Sequence, residues 1–446
     1  MLDDVMEKAQ AYGAHESEVF WQETSTGSVR FEDSRLKSVD SSQSRGMAIR
    51  VVADGRIGFA TASDMGKARE MARQAVESAW QCEKTEIAFP SVRPEKNGLK
   101  MEDEAVSKLQ PEAMAESAEN AIRRLNEYDP SVLAFGGIGK GEMRIRVKNT
   151  TGLDAEYRKT LLSGSVGGQL IVGTNILFCY REAASTKASV AVDELTERVV
   201  ADFEISRTTV PFEGGPKTVV FTPRAACALF DVLRMGINGK NVEKGTSPIR
   251  DKLGERILSE KVTVIEDGLL EEGLGSAPFD DEGTPLGRKR VVDHGVLKCF
   301  AVDLRTAPRL NVAASGNGFR FDRYTGWQSY ESPPAPQSTN WLLLPGEQTY
   351  NEILAGIQDG VVVDLMMGLF TGNLLSGDFS ANLMLAQKIT KGKIVGRIKN
   401  AMVSGNFYEI FRDNVVGVSR DTERVASGST TNVFPYLCAN DLMIST

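Results

Sequence analysis

The histidines are the residues of this sequence that say most about its chemistry. There are only two, His15 and His294. A hydrolytic zinc site usually has three protein ligands and one open position. Neither histidine has a second one nearby, as a His-Glu-x-x-His or His-Glu-x-x-x-His helix would require. We therefore expect no metal ligands in this chain and no zinc hydrolase activity from the chain by itself. His15 is interpreted as an exposed turn residue.

His294 lies in the run Val-Val-Asp-His-Gly-Val-Leu, where Asp293 and Gly295 favour a tight hairpin turn. The alternative interpretation pairs His294 with Cys299, or with the acids upstream of it, in a metal or nucleophilic site. Nothing in the spacing brings these residues together, so the turn is preferred.

An acidic run, Asp280-Asp281-Glu282-Gly283, follows a Gly/Pro-rich stretch. These residues could bind a cation or a substrate amine. Equally, they could form a solvated loop whose carboxylates cap neighbouring backbone N–H groups. Both interpretations stay open at this point.

Two glycine-rich segments could bring the backbone close to another molecule. Residues 136–141 lack the strand, loop and helix order of a phosphate-binding loop, so a flexible turn is preferred. Residues 372–380 contain Ser376, Gly377 and Asp378, and their glycines would let another chain approach closely.

Composition excludes several classes of protein. The net charge of -8 and the pI near 5.2 oppose direct nucleic-acid binding, which depends on clustered Lys and Arg. Five widely spaced cysteines suggest a reducing compartment. The acidic N-terminus does not resemble a signal peptide, and no apolar run approaches the ~18 residues of a membrane span. We expect a cytoplasmic protein with no membrane segment.

The order of elements predicts an α+β protein of several domains, because 446 residues exceed the size of a single core. Residues 1–84 form a helix, an antiparallel meander and a helix, and residues 54–55 make a hairpin turn. A linker is predicted at 85–110, and the helix–meander–helix order recurs at 111–210. Residues 211–446 are predicted to be mainly β, with a helix at 223–235.

Several motifs together resemble the TldD/PmbA family. They are the hairpin at residues 54–58, the Gly-Ser-Ala-Pro-Phe-Asp-Asp-Glu-Gly run at 275–283, Asp-His-Gly-Val-Leu at 293–297, Ser-Gly-Asp-Phe-Ser at 376–380 and Ser-Gly-Asn at 404–406. Their order and spacing match the family across nearly the whole chain.

The resemblance implies a two-subunit peptidase in which TldD binds zinc through a His-Glu-x-x-x-His helix and a cysteine, while TldE completes a closed peptide-binding chamber. The corresponding segment here, residues 223–235, has no histidine, so the chain resembles the TldE/PmbA side. Asp231 in that segment is expected to face solvent. Zinc is expected on a TldD-like partner and not in this chain.

The expected partners are a TldD-like subunit or a second copy of this chain, together with short or unfolded peptides that add a strand to an exposed sheet edge. The predicted substrate-binding residues are Asp280, Asp281, Glu282, Gly283, His294, Ser376, Gly377 and Asp378.

Two other functions remain open. One is a non-enzymatic binding or regulatory protein, as the family's older description as a modulator of DNA gyrase implies. The other is an autonomous homodimeric peptidase that uses His294, Cys299 or the acidic residues.

Overall fold

The computed structural model describes residues 2–91, 98–173, 175–321, 328–369 and 372–446. Its first unit has the predicted helix–meander–helix order, with elements α1 (Leu2–Ala11), β1 (Glu16–Glu32), β2 (Arg35–Ala53), β3 (Arg56–Ala62) and α2 (Ala68–Ala79). Asp54 and Gly55 join β2 to β3 with φ of 48° and 70°, the left-handed pair that a two-residue hairpin turn requires. The predicted hairpin is confirmed.

The second unit repeats this order with elements α3 (Glu104–Lys108), α4 (Pro111–Tyr128), β4 (Leu133–Asn149), β5 (Asp154–Val172), β6 (Asn175–Ser185) and α5 (Val192–Ser206). Residues 136–141, interpreted above as a flexible turn, lie inside β4, so that interpretation is wrong. The predicted linker at 85–110 contains α3 and also buries Phe89 and Met101. The division at residues 84, 110 and 210 stays a prediction about folding units.

The strands of the two units form one antiparallel sheet, in the order β3-β2-β1-β4-β5-β6. Helices α1, α2, α4 and α5 all pack on the same face of it, against apolar side chains that alternate along the strands, such as Val19, Val29, Ile138 and Leu162. The opposite face carries the other set of alternating residues and faces the C-terminal part of the chain.

The C-terminal part is mainly β, as predicted. It begins with β7 (Gly215–Phe221), α6 (Pro223–Leu229), α7 (Asp231–Ile237), α8 (Gly239–Glu243), β8 (Val264–Asp267), β9 (Arg288–Asp293), β10 (Val296–Leu297), α9 (Thr306–Arg309), β11 (Gly318–Phe319) and β12 (Ala335–Pro336). It continues with β13 (Asn340–Leu343), α10 (Tyr350–Ala355), β14 (Asp359–Met367), β15 (Asp378–Thr390), β16 (Lys393–Arg397), β17 (Met402–Asn406), α11 (Phe407–Asp413), β18 (Val415–Ser427) and β19 (Thr430–Ser445).

Within the described ranges, most of these strands join in an eleven-stranded mixed sheet, along the path β10-β9-β8-β13-β19-β17-β15-β14-β7. The helices α6, α7 and α11 pack on it around Phe230, Phe407 and Phe411. None of the described helices is both long and apolar enough to cross a membrane.

The C-terminal part docks on the helix-free face of the six-stranded sheet through an apolar cluster and a buried ion network. Phe20, Ile145 and Tyr157 of the sheet pack against Phe279 and Phe319. Beside them, the network joins strands β1 and β2 to the C-terminal part.

In that network Arg50 donates to Glu18 at 2.7 and 3.1 Å and to Glu282 at 2.5 Å. Arg320 donates to Glu18 at 3.2 Å. All four side chains are buried, so each charge depends on the others to offset its lost hydration.

Removing one charge from this network should be costly. Arg50→Met leaves Glu18 and Glu282 buried with less compensation, so we expect the free energy of unfolding to fall by about 3 to 5 kcal/mol. Arg73→Met is the matched control, because it breaks an exposed pair with Glu77 and should cost under about 1 kcal/mol. Urea titration measures both. Equal effects of the two substitutions would contradict a stabilising role for Arg50.

Candidate functional site

The predicted acidic loop is buried and not solvated. Asp280, Asp281 and Glu282 each have at most 1% of their surface exposed. Their carboxylates cap backbone N–H groups, as one of the two interpretations held: Asp280 accepts from the amides of residues 282, 284 and 318 at 2.8 to 3.0 Å. Burial corrects the expectation of a solvated loop.

The other two acids also face protein groups. Asp281 accepts from the Arg320 amide at 2.7 Å and from the Gln328 side chain, and Glu282 accepts from Arg50 and from the Leu304 amide. Burial raises the pKa of Asp281 to about 7. Gly283 completes the turn with φ of 84°. The loop is therefore part of the interface between the C-terminal part and the six-stranded sheet.

His294 occupies the β9–β10 hairpin turn, as predicted, with φ of 46° followed by Gly295 at 78°. Its side chain is 75% exposed and contacts Asp293 at 3.1 Å. Cys299 donates instead to the Arg290 carbonyl. In the described part of the chain, no hydrogen bond or ion pair joins the His294 side chain to Cys299 or to the acidic loop.

Ser376, Gly377 and Asp378 form the turn that enters β15. Ser376 donates to Asp378 at 2.7 Å, and Asn406 donates to the same carboxylate at 2.9 Å. These bonds join two of the motifs that carry the family resemblance. The turn, the hairpin and the acidic loop remain three separate places in the fold, and their predicted role in substrate binding stays a prediction.

A groove lies on the uncovered part of the six-stranded sheet. The docked C-terminal part covers the helix-free face at the end near Phe20 and Tyr157. Beyond it, cross-strand register on β1, β4 and β5 places four rows of side chains on one face: Thr24, Met143 and Lys159, then Thr26, Gly141 and Leu161, then Ser28, Gly139 and Ser163, then Arg30, Gly137 and Ser165. Most of these residues are small, so they form a flat floor.

The space above the floor has a volume of about 750 Å³, which is in the range of ligand-binding clefts. Leu274, Ala426 and Gly428 of the C-terminal part form its far wall. At one end it adjoins a smaller apolar pocket that shares Leu161 and Leu274 in its wall.

The other end of the groove adjoins a cavity of about 260 Å³ that shares Glu182 and Ala426 in its wall. This cavity borders α6 and α7, including Cys227 and Asp231. The groove therefore runs from the docked interface towards α6 and α7.

Strand β6 forms the edge of the sheet beside this groove. At both ends of β6, main-chain groups that point away from β5 already have hydrogen-bond partners in the C-terminal part. The carbonyls of Ile176 and Tyr180 accept from Arg397 and Arg224, and the Thr186 amide donates to Glu272.

Because outward groups alternate along a strand, those of Glu182 and Ala184 are the next to face outwards. Neither has a main-chain partner on that side among the described residues. Both residues line the groove, so the edge is open there for an added strand.

The α6–α7 segment does not fit zinc, the metal that the family resemblance implies. It follows β7 and Pro223, as predicted, but its donors are one thiol and one carboxylate. Burial raises the pKa of the Cys227 thiol to about 12, so the thiol is neutral. Asp231 contacts the Arg234 guanidinium at 3.4 Å.

Asp231 is also only 26% exposed, which corrects the expectation that it faces solvent. Arg224 lies on the same segment, bound to Asp364. Two guanidinium groups and no imidazole make a poor site for a divalent cation. Elsewhere too, no three His, Cys, Asp or Glu side chains of the described residues converge as metal ligands.

Family models identify the class of protein that this fold and site define. Residues 214–446 match the PmbA/TldA metallopeptidase C-terminal domain, and residues 17–79 match PmbA/TldA metallopeptidase domain 1. The chain thus has the architecture of a metallopeptidase-type protein. It belongs to the PmbA/TldA metallopeptidase family, the TldD/PmbA family of the sequence analysis.

Similar proteins agree with this assignment. Uncharacterized protein MJ0231 of Methanocaldococcus jannaschii is 26% identical over 403 residues, which cover 90% of this chain and 91% of that protein. A Methanothermobacter thermautotrophicus protein named Metalloprotease is 25% identical over 409 residues, covering 89% and 86%. The crystal structure of TldE from Thermococcus kodakarensis has a TM-score of 0.88 at 21% identity, with 100% of both chains covered. That likeness shows a shared fold.

The groove was not predicted from the sequence, although the sequence contains a signal for it. Gly137, Gly139 and Gly141 recur at every second position, and so do Ser163 and Ser165. In a strand, a period of two places such residues on one face. Glycines at this period predict a bare sheet face, which the interpretation as a turn overlooked.

The raised pKa of Asp281 predicts how stability depends on pH. Between its usual value of 3.8 and about 7, the folded protein holds a proton that the unfolded chain releases. The unfolding free energy should therefore decrease as pH rises through this window, by up to about 1.4 kcal/mol per pH unit. In Asp281→Asn this contribution should disappear, whereas Asp54→Asn, an exposed hairpin residue, should keep the wild-type slope. Urea unfolding at pH 5 and pH 7 tests this. An unchanged slope in Asp281→Asn would contradict the assignment.

Proposed function

We propose that this chain is the TldE/PmbA-like, non-zinc-binding subunit of a TldD/TldE-type metallopeptidase that cleaves short or unfolded peptides. In this proposal the chain binds the peptide, and a TldD-like partner supplies the zinc and its bound water as nucleophile. The observation that carries it is the groove, which leads to a helix pair with no residues suited to holding zinc.

The shape of the groove supports a peptide as the ligand. Its floor has glycine, serine or threonine at most positions, so a backbone can lie close to the sheet without meeting large side chains. The free main-chain groups of Glu182 and Ala184 line the groove and can bind main-chain groups of a peptide that lies on the floor. Main-chain pairing is tolerant of sequence, which suits a peptidase that acts on unfolded chains.

The charges at α6 and α7 support dependence on a partner. Arg224 and Arg234 of this segment form ion pairs with two nearby acids, Asp364 of β14 and Asp231. A metal ion would have to displace a guanidinium from each. These ion pairs support a hydrolytic centre on a partner subunit.

A peptidase and metal assay tests the proposal. Zinc content and cleavage of an unstructured peptide are measured for this chain alone and for the chain co-expressed with a TldD-like protein. We expect zinc and cleavage only in the mixture, and loss of cleavage when a chelator removes the zinc.

The other outcomes separate the competing functions. Stoichiometric zinc and cleavage in the chain alone would overturn the proposal in favour of an autonomous homodimeric peptidase. No cleavage in either sample would favour the non-enzymatic binding or regulatory protein. The net charge of -8 opposes direct binding to DNA in that case.

A further inference from the structure

The apolar pocket at the end of the groove contains a half-buried cation, Lys159, that forms no ion pair with any of the described residues. Lys159 on β5 lies at its wall with Tyr157 and Leu161. The Lys159 ammonium donates to the carbonyls of Leu274 and Ser276, the latter at 3.0 Å. Both acceptors are neutral.

Among the described residues no ion pair joins a carboxylate to the Lys159 ammonium, and Asp281 raises its pKa only from beyond ion-pair distance. The nearest acid in the loop behind it, Asp281, is occupied by the Arg320 amide and by Gln328. An ammonium has three donors, and the carbonyls of Leu274 and Ser276 take two of them. A cation in an apolar site is costly unless an anion compensates it, so the site favours an anionic ligand.

The cation is present at neutral pH. Burial lowers the pKa of Lys159 to about 8, and the group is therefore mostly protonated at pH 7. The free donor can then form a charge-assisted hydrogen bond, which is stronger than a neutral one.

The lining and size of the pocket indicate which chemical group would lie next to the bound anion. The lining of the pocket is largely apolar and includes Met143, Leu161, Ala277, Phe319 and Phe321 beside the polar Thr24, Thr26, Gln328 and Ser429. The volume of about 110 Å³ is well below that of a cleft for a whole ligand. Such a pocket suits a single apolar side chain next to a carboxylate, which is the chemistry of a peptide's last residue.

We propose that Lys159 binds the C-terminal carboxylate of a peptide in the groove, with the peptide's last, apolar side chain in the adjoining pocket. This inference rests on the proposed function. It adds which end of the peptide is bound and in which direction the peptide lies in the groove. The peptide runs from Lys159 along the floor past Ser165, a span of about 20 Å at ~3.3 Å per residue. The groove would then present an internal peptide bond near α6 and α7.

A structural role for Lys159 predicts a different result. If its ammonium only fastens the Leu274 and Ser276 carbonyls to the sheet, its loss should weaken all ligands equally. If it binds a carboxylate, its loss should affect only ligands with a free C-terminus. The comparison of a peptide acid with its amide separates the two roles.

The experiment measures binding of a short unstructured peptide ending in leucine to the full chain by calorimetry, as the free acid and as the C-terminal amide. Wild type should prefer the acid by roughly tenfold or more. Lys159→Met should bind acid and amide equally, and Lys159→Arg should restore a preference for the acid. Lys140→Met is the matched control, because Lys140 on β4 also donates to a main-chain carbonyl, that of Ser107, but belongs to the opposite face. It should keep the wild-type preference.

Equal binding of acid and amide to the wild type would overturn this inference while leaving the peptide groove intact. The same holds if Lys159→Met weakens both peptides by the same factor. Absence of binding by either peptide to the wild type would overturn the proposed function, and this inference with it. The wild-type comparison decides the question even if Lys159→Met does not fold.

Discussion

The buried ion network of Glu18, Arg50, Glu282 and Arg320 is the constraint on which the arrangement of this protein depends. Buried charges tolerate few positions, because each must stay within hydrogen-bond distance of its partners to offset lost hydration. Two of these side chains come from strands β1 and β2, and two from the C-terminal part. The network therefore fixes where the C-terminal part docks on the helix-free face of the sheet. The acidic loop serves this docking, with carboxylates that cap the backbone of the same interface.

The groove is a consequence of where that docking ends. Beyond Lys159 the residues of the sheet face are mostly small, so they leave a flat floor with open space above it. The floor leads at one end to Lys159 and at the other to α6 and α7, whose arginines form ion pairs with Asp364 and Asp231. The groove, and the lack of suitable zinc ligands among the described residues, support the proposed role of a subunit that binds the substrate.

Much of the fold could be predicted from the sequence, because its signals are local. The Asp54-Gly55 turn needs two left-handed residues, and helices such as α4 show apolar residues at helical spacing after Pro111. The site was harder to predict because it depends on register between distant strands. Asp280 to Glu282 look like a solvated loop until Arg50, more than two hundred residues earlier, is placed beside Glu282. Likewise the glycines of β4 could be interpreted as a turn until their pairing with β1 and β5 is known.

Photo-crosslinking is the most direct test of the claim that this groove binds peptides. A short peptide with a photoreactive residue near its middle is irradiated with the full chain, and mass spectrometry locates the adducts. We predict adducts on β4 and β5 at residues 137–143 and 159–165, which an excess of unlabelled peptide should prevent. Adducts confined to the helices α1, α2, α4 and α5, on the opposite face of the sheet, would contradict the account.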